Sequence, residues 1–392
     1  MIRCVDLFCG VGGLTHGLIK GGVRVVAGID IDAQCTFPYE ENNDAQFIER
    51  DVREVSSKII RDLWGDGTHT LLAGCAPCQP FSSYSRKVRK TRQDAKWDLV
   101  ADFGRLVRET QPDFVSMENV PQLLDHQVFA DFRSSLKGYH VWYDTIECVR
   151  YGVPQTRRRL VLLASRLGPI RLAAPAGIDE NRPATVRAAI SHLAPLAAGA
   201  SDPHDRLHSA CKLSALNLRR IRASTPGGTW RDWPPDLVAH CHRKRSGDTY
   251  PSVYGRMEWN APAPTITTQC FGYGNGRFGH PQQDRAITLR EAAILQTFPD
   301  SYRFLPHGER VSFYVLGRLI GNAVPVRLGE VVAESFLDHL REMERQPEGS
   351  IRGQGTDSIP NPGPRMQQPI GLPRTILDKA IAKQRGANKR RK

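Results

Sequence analysis

The chain has 392 residues, 40% of them hydrophobic and 24% charged. That is the composition of a water-soluble globular protein with room for two cores, and no apolar run approaches the roughly 18 residues a membrane helix needs. Net charge is +13 with a pI near 9.5, which calls for a polyanionic partner, nucleic acid first; the closing "KQRGANKRRK" carries part of the excess, but "SRKVRKTRQDAK" (85–96) and "CHRKRSGD" (241–248) carry more within the body.

In chain order, the short β-rich runs "IRCVDLF", "VRVVAGID", "QFIE", "TLLAGC", "DFVSMEN" and "RLVLLAS" predict strands. The amphipathic segments 13–20, 33–42, 54–63, 97–110 and 127–137 predict helices between them. Such alternation predicts an α/β fold with a doubly wound parallel sheet and helices on both faces. From 173 to 285 the chain is rich in Pro, Gly, His and Arg and weakly periodic, as expected of a second, loop-dominated region. "TLREAAILQTF" (288–298) predicts a helix with a capping box, Thr288 with Glu291. "RLGEVVAESFLDHLREME" predicts a last helix ending near 344, and 346–392 reads as a flexible basic tail.

The polar residues gather where such a sheet binds ligands, outside the carboxyl ends of its strands. The first strand runs through Asp6 into "DLFCGVGG", a glycine turn that opens a helix and frees its N-terminal amides. G-V-G-G is neither the G-x-G-x-x-G of dinucleotide enzymes nor a P-loop. A nucleoside without a pyrophosphate suits it, S-adenosylmethionine foremost. Asp30 closes the second strand about 20 residues on, where a ribose-binding acid is expected, and Asp51 follows the third as a partner for an adenine amino group. Cys78 and Glu118 follow the fourth strand and end the fifth.

Cys75 and Cys78 in "GCAPCQPF" form a C-x-x-C, open to three readings: half a zinc site, a dithiol redox pair, or a nucleophile with a neighbour. Zinc needs a second ligand pair, and His204, His208, Cys211, Cys241 and His242 follow no zinc spacing; no metal is expected. The redox reading expects the motif at a first βα turn, not after a fourth strand. The nine cysteines are irregularly spaced and no export signal precedes the first strand, so a reducing, cytoplasmic setting is expected.

Five segments in order, "DLFCGVGGLTHGL", "GCAPCQPFS", "MENV", "YGVPQTRRRL" and "GNAVP", resemble the successive motifs of the DNA (cytosine-5)-methyltransferases, over roughly residues 1–345 apart from a variable stretch near 175–250. The resemblance implies a Rossmann-like methyltransferase sheet and a smaller, irregular target-recognition domain. The implied organisation is 1–172 catalytic and cofactor-binding, 173–310 target recognition, 311–345 returning to the catalytic domain, and 346–392 tail.

It implies Cys78 as the nucleophile, Glu118 as the proton partner of the base, Asn119 orienting it, Arg159 on the base's carbonyl oxygen and Arg157 nearer the backbone. Cys75 sits at a variable position of the pattern and is expected only to pack. For S-adenosylmethionine the resemblance implies Asp6, Phe8, Gly10, Val11, Gly13, Asp30, Ile31, Asp51, Val52, Pro77, Asn322 and Val324. The basic stretch after Cys78 is similar to the family's mobile loop over DNA, which assigns Gln79, Ser82, Arg86, Lys87 and Arg89 to DNA, with Arg231, Arg243 and Arg245 from the recognition region. The implied partner is double-stranded DNA, bound by a monomer of bacterial type with a companion restriction endonuclease or defence system. A tRNA methyltransferase and a non-catalytic relative are the rivals. The latter would lack Cys78, Glu118 or the glycine loop, and all are present.

Overall fold

The computed structural model describes residues 1–77, 94–175, 183–244, 247 and 250–345, the side chains of 94–98 excepted. Residues 1–348 group as one compact unit. Its first half alternates β1 (Ile2–Leu7), α1 (Gly13–Lys20), β2 (Arg24–Asp30), α2 (Thr36–Asn42), β3 (Gln46–Glu49), α3 (Ser57–Trp64), β4 (His69–Gly74), α4 (Asp94–Thr110), β5 (Phe114–Asn119), α5 (Gln127–Ser134), β6 (His140–Glu147) and β7 (Arg158–Ser165). Then come α6 (Val186–Ile190), α7 (Ala215–Ala223), α8 (Leu289–Leu295), α9 (Phe313–Asn322) and α10 (Val326–Arg345).

The strands form a seven-stranded sheet in the order β3-β2-β1-β4-β5-β7-β6. Neighbours pair parallel except at β7, which runs antiparallel to both β5 and β6. The sheet grows one way from β1 through β2 and β3 and the other way from β4, so the crevice between the ends of β1 and β4 is its switch point. Reversal of β7 brings its first residues to the rim where the parallel strands end. Glu118 lies opposite Val161 and Asn119 opposite Leu160, which sets Arg159 beside the end of β5.

Alternate residues of each strand feed opposite faces, as the period of two requires. Val5, Leu7, Leu72, Val115 and Leu162 pack with Ile60, Phe103 and Phe132 from α3, α4 and α5. Cys4, Leu71, Ala73, Phe114 and Leu163 pack with Leu14 and Leu18 of α1 and Phe336 of α10. Alpha-helices α1 and α10 meet at glycines: a Cβ on Gly17 would stand 2.1 Å from the Val326 carbonyl oxygen and 2.7 Å from the Gly329 Cα. The C-terminal helix is thereby clamped onto the first one.

A third cluster joins Val11 and Tyr39 to Ile287, Leu295, Tyr302, Ile320 and Val326, so the glycine loop and the C-terminal half share one core. A separate small cluster of Ile221, Trp230, Trp233, Leu237, Val253, Tyr273 and Ala286 holds the irregular region. The capping box of α8 is present: Thr288 Oγ1 accepts from the Glu291 amide at 3.1 Å and Glu291 Oε2 accepts from the Thr288 amide at 2.7 Å.

Three features depart from expectation. One strand is antiparallel. The helix expected at 54–63 begins at Ser57, because Ser56 caps the Ile59 amide and the chain before it makes a separate 3-10 turn. Strand β6 and helix α9 have no counterpart among the expected elements.

Candidate active site

Strand ends build the rim. β1 delivers Asp6 and leads to Phe8, β2 ends in Asp30, β3 leads to Asp51, β4 to Cys75 and Pro77, β5 ends in Glu118 and Asn119, and β7 begins at Arg158.

In the glycine loop, Phe8, Gly10 and Gly12 take φ of 58°, 52° and 84°. Phe8 is the costly one, since a side chain in the left-handed region is strained and such strain gathers at ligand sites. Nothing lies within 4 Å of where a Gly10 Cβ would stand, whereas one on Gly13 would meet the Val324 carbonyl oxygen at 2.2 Å. Gly10 therefore borders open space and Gly13 touches the returning segment. Asp30 ties the two loops together, accepting from the Gly10 amide at 2.9 Å and the Asp32 amide at 3.0 Å. Burial pushes its carboxyl up from the ordinary range, against those amide bonds.

Asp6 is 1% exposed. Its Oδ2 accepts from Thr15 Oγ1 at 2.7 Å, while Oδ1 has no hydrogen-bond partner among the described residues. Burial raises its pKa to about 7, the Thr15 bond opposing and the nearby Asp30 adding. Next to Asp30, the apolar Ile31 is 65% exposed, and Asn322 presents an exposed amide without an internal hydrogen bond among the described residues. An uncovered apolar side chain, a half-buried Phe8, an acid with spare lone pairs and an orphaned buried carboxylate oxygen fit a nucleoside with a cationic tail.

Other expected cofactor residues are otherwise engaged. Val11, Val52 and Val324 are buried in the core, and the Val11 carbonyl accepts from the Tyr302 hydroxyl at 2.5 Å. Asp51 caps its own turn and pairs with Arg53 Nε at 3.0 Å, which holds its carboxyl below the usual range. Pro77 is exposed.

At the other side of the crevice, Glu118 is 5% exposed. Arg159 Nε stands 2.7 Å from Oε1 as an ion pair, and no well-aligned hydrogen bond from the described residues reaches that oxygen. Cys75 Sγ donates to Oε2 at 2.8 Å. Arg159 uses Nη1 on the Arg158 carbonyl at 2.8 Å. Asn119 Nδ2 donates to the Ala76 carbonyl at 3.1 Å, fixing the backbone just before Pro77. Arg157 is 3% exposed and donates to the Ile266 and Ala323 carbonyls at 3.3 and 3.2 Å, so it acts here as a clasp between segments. Burial and the neighbouring Arg159 lower its pKa to about 10.

The profile of the C-5 cytosine-specific DNA methylase family matches residues 2–338. Over 349 residues the chain is 53% identical to the type II methylase M.HgiDII of Herpetosiphon aurantiacus, covering 87% of this chain and 97% of that one. The chain belongs to this family. The methylase is also 30% identical to the type II methyltransferase M1.HphI of Haemophilus parahaemolyticus, over 85% of its own length and 86% of the relative's. It shares its fold, at a TM-score of 0.66 and 22% identity, with the crystal structure of a putative DNA modification methyltransferase encoded within a prophage of Escherichia coli, covering 87% of this chain and 100% of that one. It is a DNA cytosine-5 methyltransferase.

The rim therefore brings together Asp6, Phe8, Gly10, Asp30, Ile31, Glu118, Asn119 and Arg159 of the methylase. Cys78, Gln79, Ser82, Arg86, Lys87, Arg89 and Arg245 lie outside the described residues. Of the remaining DNA candidates, Arg231 lies over the Trp230 ring at 5.5 Å and Arg243 donates to the Pro235 carbonyl at 2.8 Å. His208 and His242, weighed above as zinc ligands, hold Thr288 and stack on Trp230 respectively. Sequence reading missed the acceptor role of Glu118 toward Cys75, the Asp6–Thr15 bond, the reach of Arg318 to Asp32, and the Tyr302–Val11 contact. The partners of the last two are 286 and 291 residues apart, and no local pattern signals them.

Proposed function

We propose that the methylase takes its methyl group from S-adenosylmethionine and acts on one cytosine flipped out of a specific double-stranded sequence, attacking carbon 6 with Cys78. The observation that carries this reading is Glu118, a buried carboxylate with one oxygen accepting from the Cys75 thiol and the other ion-paired to Arg159. That pair is complementary to the ring nitrogen 3 and carbonyl oxygen of cytosine.

An ordinary thiol is only about 3% thiolate at neutral pH, so the added electrons need somewhere to go. As the Cys78 sulfur bonds to carbon 6, the ring's electron pair moves toward nitrogen 3. Glu118 delivers a proton there and Arg159 holds the carbonyl oxygen. Carbon 5 becomes electron-rich. When bound, S-adenosylmethionine supplies a methyl group on a positively charged sulfur. Loss of the carbon-5 proton to a base then expels Cys78, and Glu118 recovers its proton from nitrogen 3. The base must leave the helix stack for this, at a cost of a few kcal/mol.

For the cofactor, Phe8 and Ile31 would flank the adenine, Asp30 would take the ribose hydroxyls, and Asp6 with Asn322 would face the methionine end. Gly10 and Gly13 shape the loop, Asp51 and Val52 border the adenine edge, and Val324 and Pro77 close the sides. Glu118, Asn119 and Arg159 form the base pocket together with the chain beyond Pro77, and Arg157 supports it from behind. On the same reading, residues 79–89 with Arg231, Arg243 and Arg245 meet DNA, and 173–310 is the recognition domain between 1–172 and 311–345. The methylase works in the cytoplasm as a monomer on DNA. The type II names of its relatives support a companion restriction endonuclease.

The test is to map 5-methylcytosine across the genome of a host expressing each form. The parent chain should methylate one short sequence. Cys78→Ser should methylate none, and Glu118→Gln should fall by about 10²–10⁴-fold in rate. Methylation persisting with Cys78→Ser would exclude Cys78 as nucleophile.

A further inference from the structure

We infer that the first cysteine of the C-x-x-C is a positioning residue for the chemistry: the Cys75 thiol sets the orientation of the Glu118 carboxyl toward the base. The inference rests on the role given to Glu118 above and goes beyond the expectation that Cys75 only packs.

The backbone makes the contact. β4 and β5 are parallel with Gly74 opposite Met117, so the next residues, Cys75 and Glu118, face each other at the rim although 43 positions apart. The Cys75 amide is itself held by the Leu7 carbonyl at 3.3 Å, and Asn119 holds the following Ala76 carbonyl. Both ends of the thiol contact therefore stand on hydrogen-bonded backbone. Cys75 Sγ reaches Oε2 at 2.8 Å and Arg159 Nε stands 2.7 Å from Oε1.

Without the thiol, the carboxyl group would turn about its last torsion, a broad and nearly two-fold one. The single contact with Arg159 would then leave the carboxyl plane free to tilt. With the thiol on Oε2 and Arg159 on Oε1, the carboxyl plane is set by two contacts, and acceptor capacity on each oxygen is left for the ligand. A carboxyl has about four acceptor positions, so Oε2 can still accept from the thiol when Glu118 carries a proton. No bond to sulfur forms or breaks, and no oxidant is involved.

Packing and positioning predict opposite orders for two substitutions. The Cys75 side chain also contacts the apolar cluster beneath the sheet. Valine keeps an apolar side chain and deletes the donor; serine keeps a donor and weakens the apolar contact. If Cys75 positions Glu118, Cys75→Val should lower the single-turnover methylation rate on unmethylated genomic DNA by about 3- to 10-fold, the effect of one hydrogen bond. Cys75→Ser should stay closer to the parent, and cofactor and DNA affinity should be unchanged in both. Serine as the more damaged of the two, or valine at the parent rate, would overturn the inference.

A cycle with Glu118→Asp guards against a folding defect, since shortening the acid withdraws it from the thiol. In that background Cys75→Val should cost nothing further, whereas an equal loss in both backgrounds would mean packing and overturn the inference. If Glu118→Asp and Glu118→Gln both ran at the parent rate, the role of Glu118 itself would fall, independently of the serine and valine order.

Discussion

The sheet rim and the irregular region around Trp230 are held by different forces. At the rim, side chains stand on strand ends whose register is fixed by ladders, with an apolar layer on each face. Around Trp230 the buried cluster is small, Trp230, Trp233 and Tyr273 packed among four aliphatic side chains. Isolated backbone bridges and side-chain contacts do the rest: Arg256 pairs with Pro226 and Gly279, Trp230 stacks on His242 with centroids 4.4 Å apart, Arg220 lies 5.4 Å from the Tyr254 ring, and Trp233 Nε1 donates to Ser224 at 2.7 Å. A sheet rim keeps its geometry when one contact is lost, because backbone pairing remains. A region whose backbone pairs only at isolated bridges leans more on single side chains, which suits the DNA-reading role proposed for it above.

The largest expected effect comes from breaking what both regions share. Arg285, 0% exposed, makes two bonds of 2.7 Å to Glu291, 1% exposed, at the junction between the irregular region and α8. Glu291→Ala would leave a buried guanidinium unpaired and remove the capping box, costing about 3–5 kcal/mol. Urea unfolding should show that loss, and both cofactor and DNA binding should weaken together. Burial alone would raise the Glu291 carboxyl, but Arg285 outweighs it and holds it below the ordinary range. The sign follows: the native state holds the proton more weakly, so this stabilisation is full above the unfolded pKa and is lost as pH falls through the lower folded one. Parent and Glu291→Gln should converge in stability at low pH.

Next in size is a substitution that should separate the regions. Trp230→Ala removes a ring that is 6% exposed and whose Nε1 donates to the Tyr250 carbonyl at 3.0 Å. Emptying such a site costs about 3–5 kcal/mol, here drawn from a cluster that packs apart from the sheet. Calorimetry with DNA should show sequence-specific binding lost, while calorimetry with S-adenosylmethionine should match the parent. Equal loss of both would mean the two regions fold and fail as one.

The same contrast decides what could be read from the sequence. β1, β2, β4 and β5 announced themselves as apolar runs because both their faces are buried, and β7 was visible for the same reason. β6, like β3, is a sheet edge, but it is half-buried along most of its length and its "HVWYDTIE" lacks the short apolar run that betrayed β3. The reversal of β7 left no trace, since an antiparallel strand buried on both faces has the same composition as a parallel one. Asp30 and Glu118 were legible as acids at strand ends, whereas Asp6 lies within its strand and was assigned only by the resemblance. Arg157 looked like Arg159 in "QTRRRL", yet it precedes β7, which begins at Arg158, and meets the Ile266 and Ala323 carbonyls more than 100 residues away in sequence, which no local pattern signals. The partner of Cys75 was hidden because strand register, not sequence distance, brings Glu118 to it.

The smallest expected effect lies wholly within the rim and concerns a single proton. Asp6 has its pKa raised to about 7, mainly by burial. For an acid raised in the folded state, the native protein binds more protons than the unfolded chain between the two pKa values. Stability of the free protein should therefore fall as pH rises through that window toward 7. Binding of a cation should show the opposite trend: the carboxylate forms only as pH passes about 7, so S-adenosylmethionine should bind more tightly at pH 8 than at pH 6, by about tenfold if the contact is worth one charged hydrogen bond. Asp6→Asn should bind the cofactor with no such dependence and lose less stability on going from pH 5 to pH 8. Calorimetric titration of both chains at the two pH values checks this. A parent affinity that is flat between them would mean that Asp6 faces no positive charge, and that the unpaired Oδ1 serves the loop rather than the cofactor.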